Sequence, residues 1–230
     1  MGVSKEKFKV KEGVFDNFTI KTLQFFDAKG FFELESISPL FLGKESNVFV
    51  GKGNNGYVAI KVYCLENCDF NRMYDYIKFD SRFKGVKRKK RDIILMWVQR
   101  EFRNLIKARQ GGVRVPKPLA IKNNVIVMEL IGNPASKLKD ELPKDSKKFY
   151  LKLISQMKKL LKANLVHADL SHFNVLNYKE LPVLIDFSQT TTKSSLRARE
   201  YLERDLKNVN NFFKKLGLKE KELKTVEDII

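Results

Sequence analysis

Asp169 and Asn174 stand five positions apart in the stretch Val166-His167-Ala168-Asp169-Leu170-Ser171-His172-Phe173-Asn174, and a second aspartate, Asp186, closes the short apolar run Val183-Leu184-Ile185. An aspartate in a loop can accept or orient the proton of an attacking hydroxyl. An asparagine and an aspartate supply the hard oxygen ligands that Mg²⁺ prefers when nucleotide phosphates complete its octahedron. Together they could carry out phosphoryl transfer, with Asp169 as base and Asn174 and Asp186 as metal ligands. Each also has a plain structural use, Asp169 and Ser171 as caps and Asp186 as a strand-end turn residue. The combination of His167 two before Asp169, Asn174 five after it, and Asp186 between a buried strand and Phe187 favours the chemical use.

Two further charged residues fall where a polar group is costly unless it has a partner. Lys61 lies in the apolar strand pattern Val58-Ala59-Ile60-Lys61, and Glu101 lies on the apolar stripe of a helical pattern. Pairing them solves both problems, and a strand lysine bridged to a helix glutamate holds nucleotide phosphates in protein kinases; taken alone, Lys61 could equally point to solvent. Gly43-Lys44-Glu45-Ser46-Asn47-Val48 sits at an expected hairpin turn, where a nucleotide-covering loop would lie. It has neither the G-x-G-x-x-G nor the Walker pattern. Gly43 still allows close backbone approach, and Ser46 offers a donor to phosphate.

These residues need a core to position them, and 230 residues with 43% hydrophobic content can build one, as a single two-lobed domain or two small ones. The net charge of +18 points to a polyanionic partner such as RNA, a membrane surface being the weaker alternative. Residues 82–91, from Arg82 at one end to Arg91 at the other, hold seven basic side chains and no acid. Such a run repels itself unless an anion arrives. Its nearby aromatics are too sparse for base stacking, so backbone contact with RNA is the expectation. No apolar run follows Met1, so neither a secretory signal nor a spanning helix is expected, and the reading is cytoplasmic. Cys64 and Cys68 are too few for a disulfide framework or a closed zinc site.

Residues 1–30, with Phe8, Val14, Phe15, Phe18 and Leu23 at loosely helical spacing, read as an N-terminal helical extension. Residues 31–131 read as a sheet-rich lobe, with hairpins turning at Gly53-Asn54-Asn55-Gly56 and at Asn123-Asn124. Inside it, residues 69–91 show no clean period and read as a flexible basic loop. A helix is expected over 92–110, ended by Gly111-Gly112. Residues 132–230 read as a mainly helical lobe: a crossing at 132–145, a helix over 146–163, the Asp169 loop, two short strands, and an amphipathic helix over 195–216.

With these residues in place, the chain resembles the RIO family of atypical serine/threonine protein kinases, closest to its archaeal type-one subfamily. The resemblance covers about residues 37–215. It rests on Gly43 to Val48, Ala59-Ile60-Lys61, the Lys-rich segment to Arg91, Trp97 to Leu105, Val113-Arg114-Val115-Pro116-Lys117-Pro118, Met128 to Gly132, His167 to Asn174 and Ile185-Asp186-Phe187-Ser188-Gln189. It implies an α+β, two-lobed protein-kinase-like fold with a β-rich N-lobe and a shortened, mainly helical C-lobe. Carried over by position, it makes Lys61 the phosphate anchor and Glu101 its partner, and Glu129 and Ile131 the hinge residues that meet adenine. Asp169 becomes the catalytic base, Asn174 and Asp186 the Mg²⁺ ligands, and Asp186 also a potential phosphate acceptor. ATP and Mg²⁺ are the implied cofactors, and maturation of the small ribosomal subunit, with rRNA as a partner, the implied setting. Two other functions share parts of the pattern: a small-molecule phosphotransferase of the aminoglycoside-kinase type, and a non-catalytic ribosome-assembly factor switched by nucleotide.

Overall fold

A computed structural model describes residues 15–66, 68–78 and 89–230. Phe8 and Val14 of the expected N-terminal helix, and residues 82–88 of the basic run, lie outside the described residues. The chain forms two compact units, one of Met1–Asp75, Gly85–Gln99 and Pro118–Leu130, the other of Tyr76–Lys84, Arg100–Lys117 and Ile131–Ile230.

The first unit is built on a five-stranded antiparallel sheet in the order β1-β2-β3-β5-β4, with β1 Ser38–Leu42, β2 Ser46–Gly53, β3 Gly56–Tyr63, β4 Pro118–Lys122 and β5 Val125–Glu129. Both expected hairpins are present. Gly53 pairs with Gly56 across Asn54-Asn55, and a Cβ on Gly53 would meet the carbonyl oxygen of Phe31 at 2.3 Å. At the other turn Asn123 takes the left-handed φ of 52° that asparagine tolerates.

Helix α1 Asn17–Ala28 packs on this sheet, starting at Asp16, whose side chain accepts the Thr19 N–H at 2.7 Å. Its buried face, Thr19, Thr22, Leu23 and Phe26, follows helical spacing. Leu23 and Phe26 join Phe15, Phe32, Phe49, Ile60, Val62 and Val127 in one apolar core. Burying each such side chain contributes about 1.5–3 kcal/mol. Asn124, in the turn between β4 and β5, fastens the helix to the sheet: its Nδ2 donates to Thr19 Oγ1 at 2.8 Å and to the Tyr63 carbonyl at 2.9 Å.

Sequence periodicity missed a short helix, α2 Phe70–Lys78. Among its described side chains Met73 and Ile77, four apart, are the fully buried ones, and such a pair in a charged stretch leaves no visible period. Helix α3 Lys90–Gln110 starts two residues before the expected position and ends as foreseen. Gly112 turns at φ 73°, and the Val113 N–H returns to the Ala108 carbonyl at 3.0 Å.

The second unit is mainly helical. Its core gathers Leu105 and Ala108 of α3, the stripe Phe149, Leu153, Met157 and Leu160 of α4 Ser146–Lys162, and Leu202, Leu206, Val209 and Phe213 of α5 Ala198–Lys215. Residues 132–145 include a second missed element, β6 Ser136–Lys137, too short to leave a pattern. It pairs with β8 Val175–Asn177, which pairs with β9 Pro182–Leu184. A further ladder joins β7 Leu165–Val166 to β10 Thr191–Thr192. These two small sheets bracket the Asp169 loop and the segment after Asp186. Among the described residues no helix is long and apolar enough to cross a membrane.

Candidate active site

In the first unit the turn between β1 and β2 is tightly braced. Asn47 Oδ1 accepts the Gly43 N–H at 3.1 Å, and the Glu45 carbonyl accepts the Cys64 N–H at 3.0 Å and the Cys68 thiol at 3.2 Å. A Cβ on Gly43 would stand 2.8 Å from the Ser46 carbonyl oxygen, so this position closes the turn only as glycine. Lys44 is exposed at the tip and Ser46 half-buried at the start of β2. Lys61 is only 6% exposed in β3, with Nζ 5.1 Å from the centre of the Tyr63 ring. Glu129, exposed, ends β5 beside Val58 of β3.

In the second unit a hydrogen-bonded chain joins the loop residues. Asn174 Nδ2 donates to the Asp169 carbonyl at 2.8 Å and to its carboxylate at 3.1 Å, closing the five-residue turn. The Asn174 carbonyl accepts the N–H of Ile185 at 3.0 Å, one residue before Asp186. His167, buried, closes the same link from the other side, its Nε2 contacting the Ile185 carbonyl at 3.1 Å. A carbonyl can only accept, which puts the imidazole proton on Nε2. Asp186 adopts φ 62°, costly for a residue with a Cβ, and its Oδ1 accepts the Ser188 hydroxyl at 2.8 Å.

The backbone after Asp186 is held by three buried side chains of α3. Glu101, 1% exposed, accepts the Phe187 N–H at 3.2 Å. Asn104 donates to the carbonyls of Phe187 at 3.1 Å and Thr190 at 3.0 Å, and Arg100 donates to those of Ser188 at 3.3 Å and Gln189 at 3.5 Å. Buried backbone groups must be paired, and here side chains replace a strand ladder. Sequence reasoning found Glu101 but missed Arg100 and Asn104. They border the apolar stripe, where a polar residue ordinarily marks the solvent edge.

The larger omission is Asp205, an aspartate on the apolar face of α5, the same signal that marked Glu101. It is 1% exposed, and its two carboxylate oxygens accept the N–H groups of Ala168 and Leu170 at 2.8 Å each. Burial pushes its pKa up to about 7, against the pull of those two hydrogen bonds and of Arg204. Arg204 in turn donates to the Ala168 carbonyl, so both polar groups of Ala168, itself at φ 65°, are fixed by α5.

Two protein oxygens, on Asn174 and Asp186, fit a Mg²⁺ whose remaining ligands are phosphate and water. Among the described residues no group of three or more His, Cys, Asp or Glu side chains could hold a metal without them. The Ile131 carbonyl, the last of the predicted site positions, accepts the Ala135 N–H at 2.6 Å.

The RIO domain family model matches residues 47–226. This chain belongs to the RIO family. The RIO-type serine/threonine-protein kinase Rio1 of Haloferax volcanii is 37% identical over 216 residues, covering 92% of this chain and 74% of that one. The Rio1 of Methanocaldococcus jannaschii is 40% identical over 214 residues, covering 91% and 73%. The expected kinship with archaeal type-one members is thereby borne out, and the chain is an enzyme, a RIO kinase. Among solved structures, the Rio2 kinase of Chaetomium thermophilum superposes with a TM-score of 0.67 at 23% identity, over 84% of this chain and 60% of that one. Its ADP/Mg²⁺-phosphoaspartate complex gives 0.67 at 22%, over 84% and 59%. At that identity the likeness establishes the fold, the expected α+β kinase-like one.

Proposed function

We propose that this RIO kinase uses ATP and Mg²⁺ to phosphorylate serine or threonine, or to cycle as an ATPase, in maturation of the small ribosomal subunit in the cytoplasm. The observation that carries the chemical part is the chain Asp169–Asn174–Ile185, which ties the proposed base and both proposed metal ligands into one hydrogen-bonded loop.

Asp169 takes the acceptor's hydroxyl proton as the oxygen bonds to the γ-phosphorus and ADP leaves. Asn174, its Nδ2 committed to Asp169, presents Oδ1 to the cation, and Asp186 supplies the second protein oxygen. Bound Mg²⁺ neutralises charge that develops on the phosphate oxygens. Lys61 anchors the phosphates, Gly43, Lys44 and Ser46 cover them, and Glu129 and Ile131 meet the adenine. In the ATPase cycle the Asp186 carboxylate accepts the phosphoryl group and water then removes it, in keeping with the phosphoaspartate named for the Rio2 complex. Glu101, by holding the Phe187 N–H, fixes the backbone on which Asp186 sits.

The ribosomal part rests on charge. With +18 overall and seven basic residues in 82–91, the chain suits a backbone-reading contact with rRNA. Incubation with labelled ATP, with and without small-subunit precursor particles, separates the parts. The reading predicts particle-stimulated release of phosphate or labelling of a particle protein. Turnover indifferent to particles would remove the ribosomal setting, and absence of turnover would remove the chemistry.

A further inference from the structure

The catalytic loop carries four side chains between Asp169 and Asn174 that phosphoryl transfer does not use. Two of them, His172 and Phe173, form an aromatic stack with α5. The His172 ring lies flat on Phe212, centroids 4.6 Å apart and 11° between planes, and the Phe173 ring lies tilted by 38° at 4.2 Å from it. Phe173 remains 50% exposed. Its neighbours in sequence are fixed: the Phe173 N–H reaches Ser171 Oγ at 3.4 Å, and Asn174 is bound to Asp169. The exposed ring is thus set on a rigid turn, one residue from Asn174 and four from Asp169.

One face of α5 meets this loop in order. Arg204 and Asp205 bind Ala168 and Leu170, Asn208 donates to the Leu170 carbonyl at 3.2 Å, and Phe212 stacks on His172. Lys215, three residues beyond Phe212 on that face, is exposed. Lys214 beside it pairs with Glu220 at 2.5 Å, whereas no carboxylate among the described residues pairs with Lys215. The loop that carries the proposed base therefore presents an exposed apolar ring, and the α5 face stacked on that loop ends in a lysine with no paired carboxylate.

We propose that Phe173 and Lys215 form the docking surface for the acceptor polypeptide and select a segment with Asp or Glu close to the serine or threonine. The proposal rests on the phosphotransfer reading above and names its substrate class. A peptide is favoured over RNA because, of the three stacked rings, Phe173 alone is exposed while His172 and Phe212 are partly buried, which leaves a single outward ring. Single-strand binders instead splay successive rings so that several bases stack.

The test uses the full chain with Mg-ATP and synthetic peptides holding one serine flanked by acidic, neutral or basic residues, each rate divided by that protein's own peptide-free ATP hydrolysis. The acidic peptide should lead by about fivefold in kcat/KM, carried by KM, the worth of a partly exposed charge pair. Lys215→Glu should reverse the order of acidic and basic peptides, and Phe173→Ala should raise KM for all three. Equal rates for the three peptides, or an order unchanged by Lys215→Glu, would overturn the proposal. So would loss of oligouridylate binding in both variants with peptide kinetics untouched, which would make the surface an RNA site. No ATP turnover in any sample would overturn the phosphotransfer reading itself, a result distinct from turnover without peptide preference.

Discussion

Asp205 holds the N–H of Leu170 at 2.8 Å, from a helix that begins almost thirty residues beyond the loop it organises. Its other oxygen holds Ala168, so the backbone on both sides of Asp169 hangs on one buried carboxylate. The left-handed Ala168 costs about 1–3 kcal/mol wherever it occurs, and persists here because Asp205 and Arg204 clamp its N–H and carbonyl.

Replacing this carboxylate has a predictable signature. Asp205→Asn offers one acceptor where the loop presents two donors, so an N–H is left buried and unpaired at a cost of about 1–3 kcal/mol. The pH dependence should change too. Burial raises the folded pKa from the ordinary 3.8 to about 7, so between those values the folded chain binds more protons than the unfolded one. The contribution of Asp205 to stability is therefore full below about pH 3.8 and is lost as pH rises through 7. Urea unfolding from pH 4 to 8 should show that decline in the wild type and a flatter profile in Asp205→Asn.

Asn104→Leu tests the clamp behind Asp186. The substitution nearly keeps the volume but takes the Asn104 donor from the Thr190 carbonyl and leaves the Phe187 carbonyl only the long bond from the Thr190 N–H at 3.3 Å. Stability should fall by about 1–3 kcal/mol, the cost of one buried acceptor left unmet. The residual folded fraction should show a lower kcat, because Asp186 loses the support of the segment after it. Thermal melts and single-turnover rates read the two effects.

The thiols should be poor nucleophiles. Burial pushes Cys68 up to about 12 and raises Cys64 as well, so little thiolate exists at neutral pH. Ellman's reagent at pH 7.5 should react slowly with the native chain and rapidly with both cysteines after unfolding. Fast labelling of the native protein would contradict the packing around Glu45.

Most of the candidate site was legible because the residues proposed for it are local in sequence. Asp169 and Asn174 share one turn, Asp186 ends an apolar run, and Lys61 and Glu101 each break an apolar pattern at one point. What escaped was of two kinds. Helix α2 and strand β6 are too short for a period to emerge. Arg100, Asn104 and Asp205 support other residues' backbones across the fold, and nothing near them in sequence says which carbonyl or amide they meet. Asp205 was recoverable from its place among Leu202, Leu206 and Val209; Arg100 and Asn104, at the edge of a stripe, were not.

The central claim is that Asp169, held by Asn174, is the base of a phosphoryl-transfer site. Asp169→Asn keeps a side chain of the same size while removing the proton acceptor. Measured with γ-labelled ATP under single-turnover conditions, the variant should bind nucleotide as the wild type does and lose transfer by on the order of 10²- to 10⁴-fold. Transfer at the wild-type rate by Asp169→Asn would contradict the account.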